Sequence, residues 1–166
     1  MNETIHPHEA HPIIVFHDLE SVQSDIKLDT WPLHISITPF FTLQNVAPEK
    51  AIDVITTTAQ KHGRVQIKLG EQVMYGPDND TLVTQIIDSD GELTYLHRSL
   101  IHNLGRIGCQ FTDLTYALSR YSPHISHKSS NPIPTSIQSI NSISVATKLP
   151  KIVGANKIIL NNIPLD

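Results

Sequence analysis

Short apolar runs separated by polar connections dominate this chain, and two segments switch to a helical period. Ile13-Ile14-Val15-Phe16 is β-branched and aromatic, the pattern of a buried strand. A polar connection rich in Ser and Asp covers residues 17–30. Residues 31–40 read as a second strand, ended by Pro39 because proline has no N–H to give a ladder. Pro48 suits the first turn of a helix. From there Ile52, Ile55 and Ala59 recur at helical spacing as far as His62, with Gly63 as the stop.

Val65, Ile67 and Leu69 then alternate with Gln66 and Lys68, the period of a half-buried strand. Gly76-Pro77-Asp78-Asn79-Asp80 is a turn, residues 82–87 form an apolar strand, and Asp88-Ser89-Asp90-Gly91 turns again. Leu93, Leu96, Leu100, Ile101 and Leu104 make the clearest helical stripe, closed by Gly105. His97 and His102 sit on or near that helix and read as ordinary, partly exposed histidines. Ser129-Ser130-Asn131-Pro132 is a loop, and residues 137–146 and 157–160 look like two final strands. Each half thus sets one helix against strands, an α+β organisation with the pattern of a duplication.

The strongest chemical signal lies on two of these strands. Pro32-Leu33-His34-Ile35-Ser36-Ile37 and Ser122-Pro123-His124-Ile125-Ser126-His127 both carry His-Ile-Ser shortly after a proline. Residues i and i+2 of a strand share a face, so each copy presents an imidazole beside a hydroxyl, with isoleucine behind. If the strands are neighbours, one site holds two histidines and two hydroxyls. Such a set can accept a proton, deliver a proton and hold an anion.

Composition narrows the setting. With 166 residues, 39% of them hydrophobic and 17% charged, the chain has the make-up of a soluble globular protein. A net charge of −4 argues against broad electrostatic binding of nucleic acid, and leaves room for a small nucleotide or an RNA end in a local pocket. Cys109 is the only cysteine, so no internal disulfide can form, and it reads as a small buried residue in a reducing, cytoplasmic setting. No apolar run approaches the ~20 residues needed to span a bilayer, so no membrane association is expected. His6, His8, Glu9 and His11 have metal-binding chemistry but lack the spacing of a helical zinc motif. They read as a polar chain end, with residues 1–11 flexible and 12–166 folded as a single domain.

The paired motifs resemble those of the 2H phosphoesterases, the superfamily of RNA 2′,3′-cyclic phosphodiesterases and bacterial 2′-5′ RNA ligase-like proteins. The hallmark there is two His-x-Ser/Thr-x motifs, the fourth position usually hydrophobic. His34-Ile35-Ser36-Ile37 matches in full; the second copy departs at His127, where an aliphatic residue is usual. Lys68-Leu69-Gly70, Tyr75-Gly76, the helix ending near Leu104 and the Tyr121 to His124 lead-in also fit. The resemblance implies a bilobal fold, two pseudo-symmetric lobes with antiparallel sheets lining a central cleft. It also implies metal-independent phosphodiester chemistry with no cofactor.

On that reading His34, Ser36, His124 and Ser126 are the catalytic set, and a cyclic phosphodiester on a small nucleotide or RNA end is the substrate. The two serines would donate hydrogen bonds to the phosphoryl oxygens. The residues leave the acid and base roles open; the resemblance implies His34 as acid and His124 as base, with a bell-shaped pH dependence. Reversal of the same chemistry would join ends through a 2′-5′ linkage. Tyr121, Tyr75, Trp31 and Phe41 are candidates to stack on a base, and Arg120 and Lys128 to neutralise phosphate. His127 either disturbs local packing or adds an imidazole on the strand face opposite His124. The competing readings are hydrolysis of a cyclic oligonucleotide or an ADP-ribose cyclic phosphate, and a nucleotide-binding module without turnover. No protein partner is expected.

Overall fold

The computed structural model describes residues 11–127, 132–137, 139–150 and 155–166. Its strands, in chain order, are β1 (Ile13–Asp18), β2 (Lys27–Leu28), β3 (His34–Ser36), β4 (Phe41–Thr42), β5 (Val65–Gln66) and β6 (Lys68–Tyr75). They continue with β7 (Thr81–Ile87), β8 (Gln110–Phe111), β9 (His124–Ser126), β10 (Ser139–Ile140), β11 (Ser142–Lys148) and β12 (Lys157–Pro164). Helix α1 (Pro48–His62) follows β4, and helix α2 (Glu92–Ile107) follows β7. The main sheet has 10 strands in the order β2-β12-β11-β1-β3-β9-β7-β6, with β4 and β8 attached beside β1. Each of its pairings is antiparallel. The sheet is open, and the two halves of the chain meet within it at β3 and β9.

Burial on two faces explains why β1 is apolar at every position but its last two. Ile13 and Val15 point into the main core, whereas Ile14 and Phe16 pack with Ala146 and Ile159 on the other side. The main core holds both helices. Ala51, Ile55 and Ala59 of α1 and Leu93, Leu96, Leu100 and Leu104 of α2 pack against Ile35, Ile125, Ile143 and Val145 of the sheet. Asp88 starts α2 by accepting the N–H groups of Leu93 (3.0 Å) and Thr94 (2.9 Å), which have no partner in the first helical turn. Both helices therefore lie on one face, and the opposite face of the central strands is left to form a cleft.

Several elements differ from the sequence pattern. The strand expected over 31–40 is two short ones, β3 and β4, since the chain leaves the ladder at Ile37 and Thr38, whose N–H groups both reach Val15 O. The alternation over 65–69 spans a change of sheet: β5 pairs with β10 in a separate two-stranded sheet, while β6 joins β7. Residues 137–146 divide in the same way into β10 and β11. Helix α2 continues through Gly105 and stops at Gly108, whose φ is +104°. The two-residue strands β2 and β8 are too short to leave a periodic signal. Residues 1–10, Lys128 and most of the 129–132 loop lie outside the described residues, including His6, His8 and Glu9. Among the described residues no helix is long and apolar enough to cross a membrane.

Candidate active site

The two His-Ile-Ser stretches are β3 and β9, adjacent and antiparallel, with Ile35 directly opposite Ile125. Both isoleucines are fully buried against the helices. Because side chains alternate across a strand, His34, Ser36, His124 and Ser126 all project from the other face. The register sets His34 across from Ser126 and Ser36 across from His124. Each imidazole therefore has its own copy's serine beside it and the other copy's serine opposite.

Backbone carbonyls orient both rings in the same way. His34 Nδ1 donates to Pro32 O at 2.6 Å, and His124 Nδ1 donates to Ser122 O at 2.8 Å. With Nδ1 carrying the hydrogen, the neutral ring keeps its lone pair on Nε2, the atom free for proton transfer. The proline-containing lead-in matters here, since the residue two positions before each histidine supplies the acceptor.

The surroundings of the two rings differ. In the sheet register Asp18 lies opposite His34, and Gln85 lies opposite His124. Asp18 accepts the N–H of Glu20 at 2.7 Å and that of Val22, and Glu20 accepts the N–H of Leu33 at 2.6 Å. Burial lowers the His34 pKa below the ordinary histidine value, and His124 lowers it further. The Pro32 bond and the carboxylates Asp18 and Glu20 oppose that shift without reversing it.

Two neighbouring chambers flank the strands. One, of about 310 Å³, is lined by His124, Ser36, Tyr75, Tyr116, Tyr121 and Phe40, among others. The Tyr75 ring lies 4.4 Å from that of His124 and 5.6 Å from that of Tyr116, centroid to centroid. The second, of about 820 Å³, is lined by His34, Ser126, Trp31, Glu20, Asp29 and Lys157, among others. Ile14, Ser36 and Phe40 border both chambers, which therefore adjoin on the sheet face that carries the four motif side chains. In the larger chamber Trp31 packs edge-on to Phe16 at 6.0 Å. Lys157 Nζ stands 5.8 Å from the Trp31 ring centroid and donates to Asp29 O (2.6 Å) and Asn156 Oδ1 (2.8 Å).

The other sequence candidates separate sharply. Tyr75 and Trp31 line the cleft, as does Tyr121. Tyr121 also has a structural bond, its hydroxyl donating to Ser36 O at 2.8 Å. Burial of that hydroxyl, with Asp88 adding, pushes its pKa far above the ordinary phenol value. Phe41 is no stacking platform: it is fully buried in the core against Phe111, because its side chain falls on the helix side of the sheet. Arg120 is exposed at the end of a 3-10 turn (Leu118–Arg120) and stands outside the linings of both chambers. His127 projects to the face opposite His124, where its Nε2 and the Thr84 hydroxyl share a 2.7 Å hydrogen bond. That bond satisfies an imidazole in a position where an aliphatic side chain would need none.

Phe40, Tyr116 and Lys157 were not singled out by sequence reasoning, and His97 was read as ordinary and partly exposed. His97 is buried, with 1% of its surface accessible. One signal was available: position 97 falls within the apolar stripe of α2, between Leu93, Leu96, Leu100 and Leu104. Cys109 is buried as expected, and burial raises its thiol pKa, away from reactivity. Among the described residues no three His, Cys, Asp or Glu side chains gather closely enough to hold a metal ion.

No protein-family model matches the chain, and no curated protein matches it by sequence. Solved structures do match. A phosphoesterase crystal structure superposes with a TM-score of 0.57 at 13% identity, over 95% of this chain and 99% of the other. Escherichia coli LigT complexed with 3′-AMP superposes with a TM-score of 0.59 at 13% identity, over 95% and 99%. The same protein complexed with NADP+ gives 0.58 at 13% identity, over 95% and 98%. At such low identity the likeness is one of fold. The chain therefore shares the fold of these solved structures, a phosphoesterase and Escherichia coli LigT.

Proposed function

We propose that the protein is a phosphodiesterase that hydrolyses a cyclic phosphodiester, the 2′,3′-cyclic phosphate of a nucleotide or RNA end, by two-histidine acid–base catalysis. The observation that carries this reading is the matched pair of rings. His34 and His124 each give Nδ1–H to a carbonyl two residues back, leaving Nε2 for proton transfer, and stand on adjacent strands with both side chains on one face of the sheet. The complexes of LigT with 3′-AMP and NADP+ support a nucleotide-sized ligand.

In hydrolysis a water oxygen attacks phosphorus as one imidazole takes its proton. The ring P–O bond breaks as the other imidazole protonates the departing ribose oxygen. Ser36 and Ser126 donate to the non-bridging oxygens, where charge grows in the transition state. Imidazoles and hydroxyls supply every proton and donor that this step requires. The pair works when it shares one proton, and burial favours the neutral form of His34. His34 is then the base for water and His124 the acid, the reverse of the order that the resemblance implies. With a ribose 5′-hydroxyl in place of water, the same ring opening forms a 2′-5′ diester as the ring P–O bond to the 3′ oxygen breaks, and the same groups perform ligation.

The test is turnover of 2′,3′-cyclic nucleotides with EDTA present. Wild type releases a nucleoside monophosphate, and His34→Ala and His124→Ala fall to background. Equal background rates from wild type and His124→Ala sink the proposal. Parallel assays with a cyclic oligonucleotide and an ADP-ribose cyclic phosphate identify the preferred substrate.

A further inference from the structure

His97 lies outside the His-Ile-Ser motifs, yet its contacts reach segments that adjoin both of them. Its Nδ1–H donates to Ile37 O at 2.6 Å, immediately after the first motif. Its Nε2 accepts the N–H of Leu118 at 2.8 Å, in the turn that leads into the second. Its ring stacks on Tyr121 with centroids 3.8 Å apart and planes 5° from parallel. Tyr121 closes the circuit by donating its hydroxyl to Ser36 O. We propose that His97 is a positioning residue that ties the two motif strands together and sets the placement of His34 and His124. The proposal rests on the function proposed above.

Both ring nitrogens of His97 are engaged by the backbone, so neither is available to move a proton in the cleft. The bonding fixes one tautomer. Ile37 O can only accept and Leu118 N–H can only donate, so hydrogen must sit on Nδ1 and not on Nε2. A protonated ring would present a second N–H to the Leu118 N–H. Burial lowers the His97 pKa, and neighbouring Arg98 acts in the same direction against the opposing Ile37 bond. Tyr121, on the stacked face, is held in its neutral phenol form. Leu118 has a φ of +56°, a left-handed conformation that costs a residue with a Cβ free energy. The bond to His97 is one of the contacts that hold it there.

The test compares wild type with H97F and H97Q. Phenylalanine keeps the stacked ring and loses both bonds; glutamine offers one amide donor and one carbonyl acceptor. Histidine-ring NMR on wild type alone must show His97 with hydrogen on Nδ1 and titrating below the ordinary histidine value of about 6.5. H97F should lower kcat on the order of 10²-fold with KM within about threefold, the mark of misplaced reacting groups. It should also shift the ring resonances of His34 and His124, and H97Q should largely restore both. An H97F that leaves kcat and those resonances unchanged overturns the proposal, as does a folded H97Q no better than H97F. Should H97F fail to fold, the wild-type tautomer and H97Q decide by the same resonances. If wild type turns over no cyclic phosphodiester, the function reading fails, while the ring resonances still judge the role of His97.

Discussion

Ile35 and Ile125 face one another across the junction of the two halves, each fully buried against the helices. That one register relation aligns four polar side chains on the reverse face of the sheet. Shifting either strand by one residue would turn its histidine and serine into the core. The apolar pair thus specifies the geometry of the candidate site as well as contributing about 1.5–3 kcal/mol per buried side chain.

Ile35→Ala and Ile125→Ala should each destabilise the fold by about 2–5 kcal/mol, as a large-to-small change in a packed core. Because the residues are paired neighbours, the double variant should depart from additivity by more than about 0.5 kcal/mol. Urea unfolding of the four proteins measures this. Additive losses would mean that the two positions are energetically independent.

Acid and base roles can be separated by the leaving group. A phosphodiester that releases a nitrophenolate needs no proton on the departing oxygen. On such a substrate His124→Ala should recover most of the rate lost on a ribose leaving group, whereas His34→Ala should remain impaired by about 10²-fold or more. The opposite pattern would reverse the assignment.

The pH profile of kcat/KM should be bell-shaped, with an acid limb below the ordinary histidine value of about 6.5. The sign follows from His34, whose neutral form is favoured by burial, so that protonation disables the base only at lower pH. An acid limb above that value would contradict the burial argument.

Stability should also fall on the acid side. His17, His34 and His97 all have lowered pKa values, each chiefly from burial. Below about 6.5 the unfolded chain binds protons that the folded chain resists, so stability is complete above that pH and declines as pH drops towards the folded values. Urea midpoints compared on either side of that pH should show the loss, and H97Q should make the dependence shallower. An unchanged slope would mean that His97 does not contribute.

The end of α2 offers a test of the structure itself. Gly105 lies inside the helix with open space around its Cα, so Gly105→Ala should stabilise by about 0.5–1 kcal/mol. Gly108 ends the helix at a φ of +104°, where Gly108→Ala should destabilise by about 1–2 kcal/mol. Thermal unfolding of both variants would reveal the contrast; equal effects would place the helix end elsewhere.

Local rules made much of this protein legible before any coordinates. The period of two placed each histidine beside its serine, and the apolar stripes and Pro48 located both helices. The repeated motif pointed to the chemistry, because His-x-Ser on a strand is a face and not merely a string. Sequence order could not establish that β3 and β9 are neighbours, since that pairing joins distant segments and depends on the burial summed over the whole core. Nor could it separate Phe41, driven into the core, from Trp31 and Tyr75, which stay in the cleft. Periodicity also passed over the breaks between β5 and β6 and between β10 and β11, where alternation continues while the partner strand changes. His97 makes the same point in one residue. Its place in an apolar stripe foretells burial, but only the tertiary structure supplies the two backbone groups that complete its ring. What the sequence by itself determined was which side chains share a face; the fold decided which faces meet, because register and partner choice are properties of the assembled core.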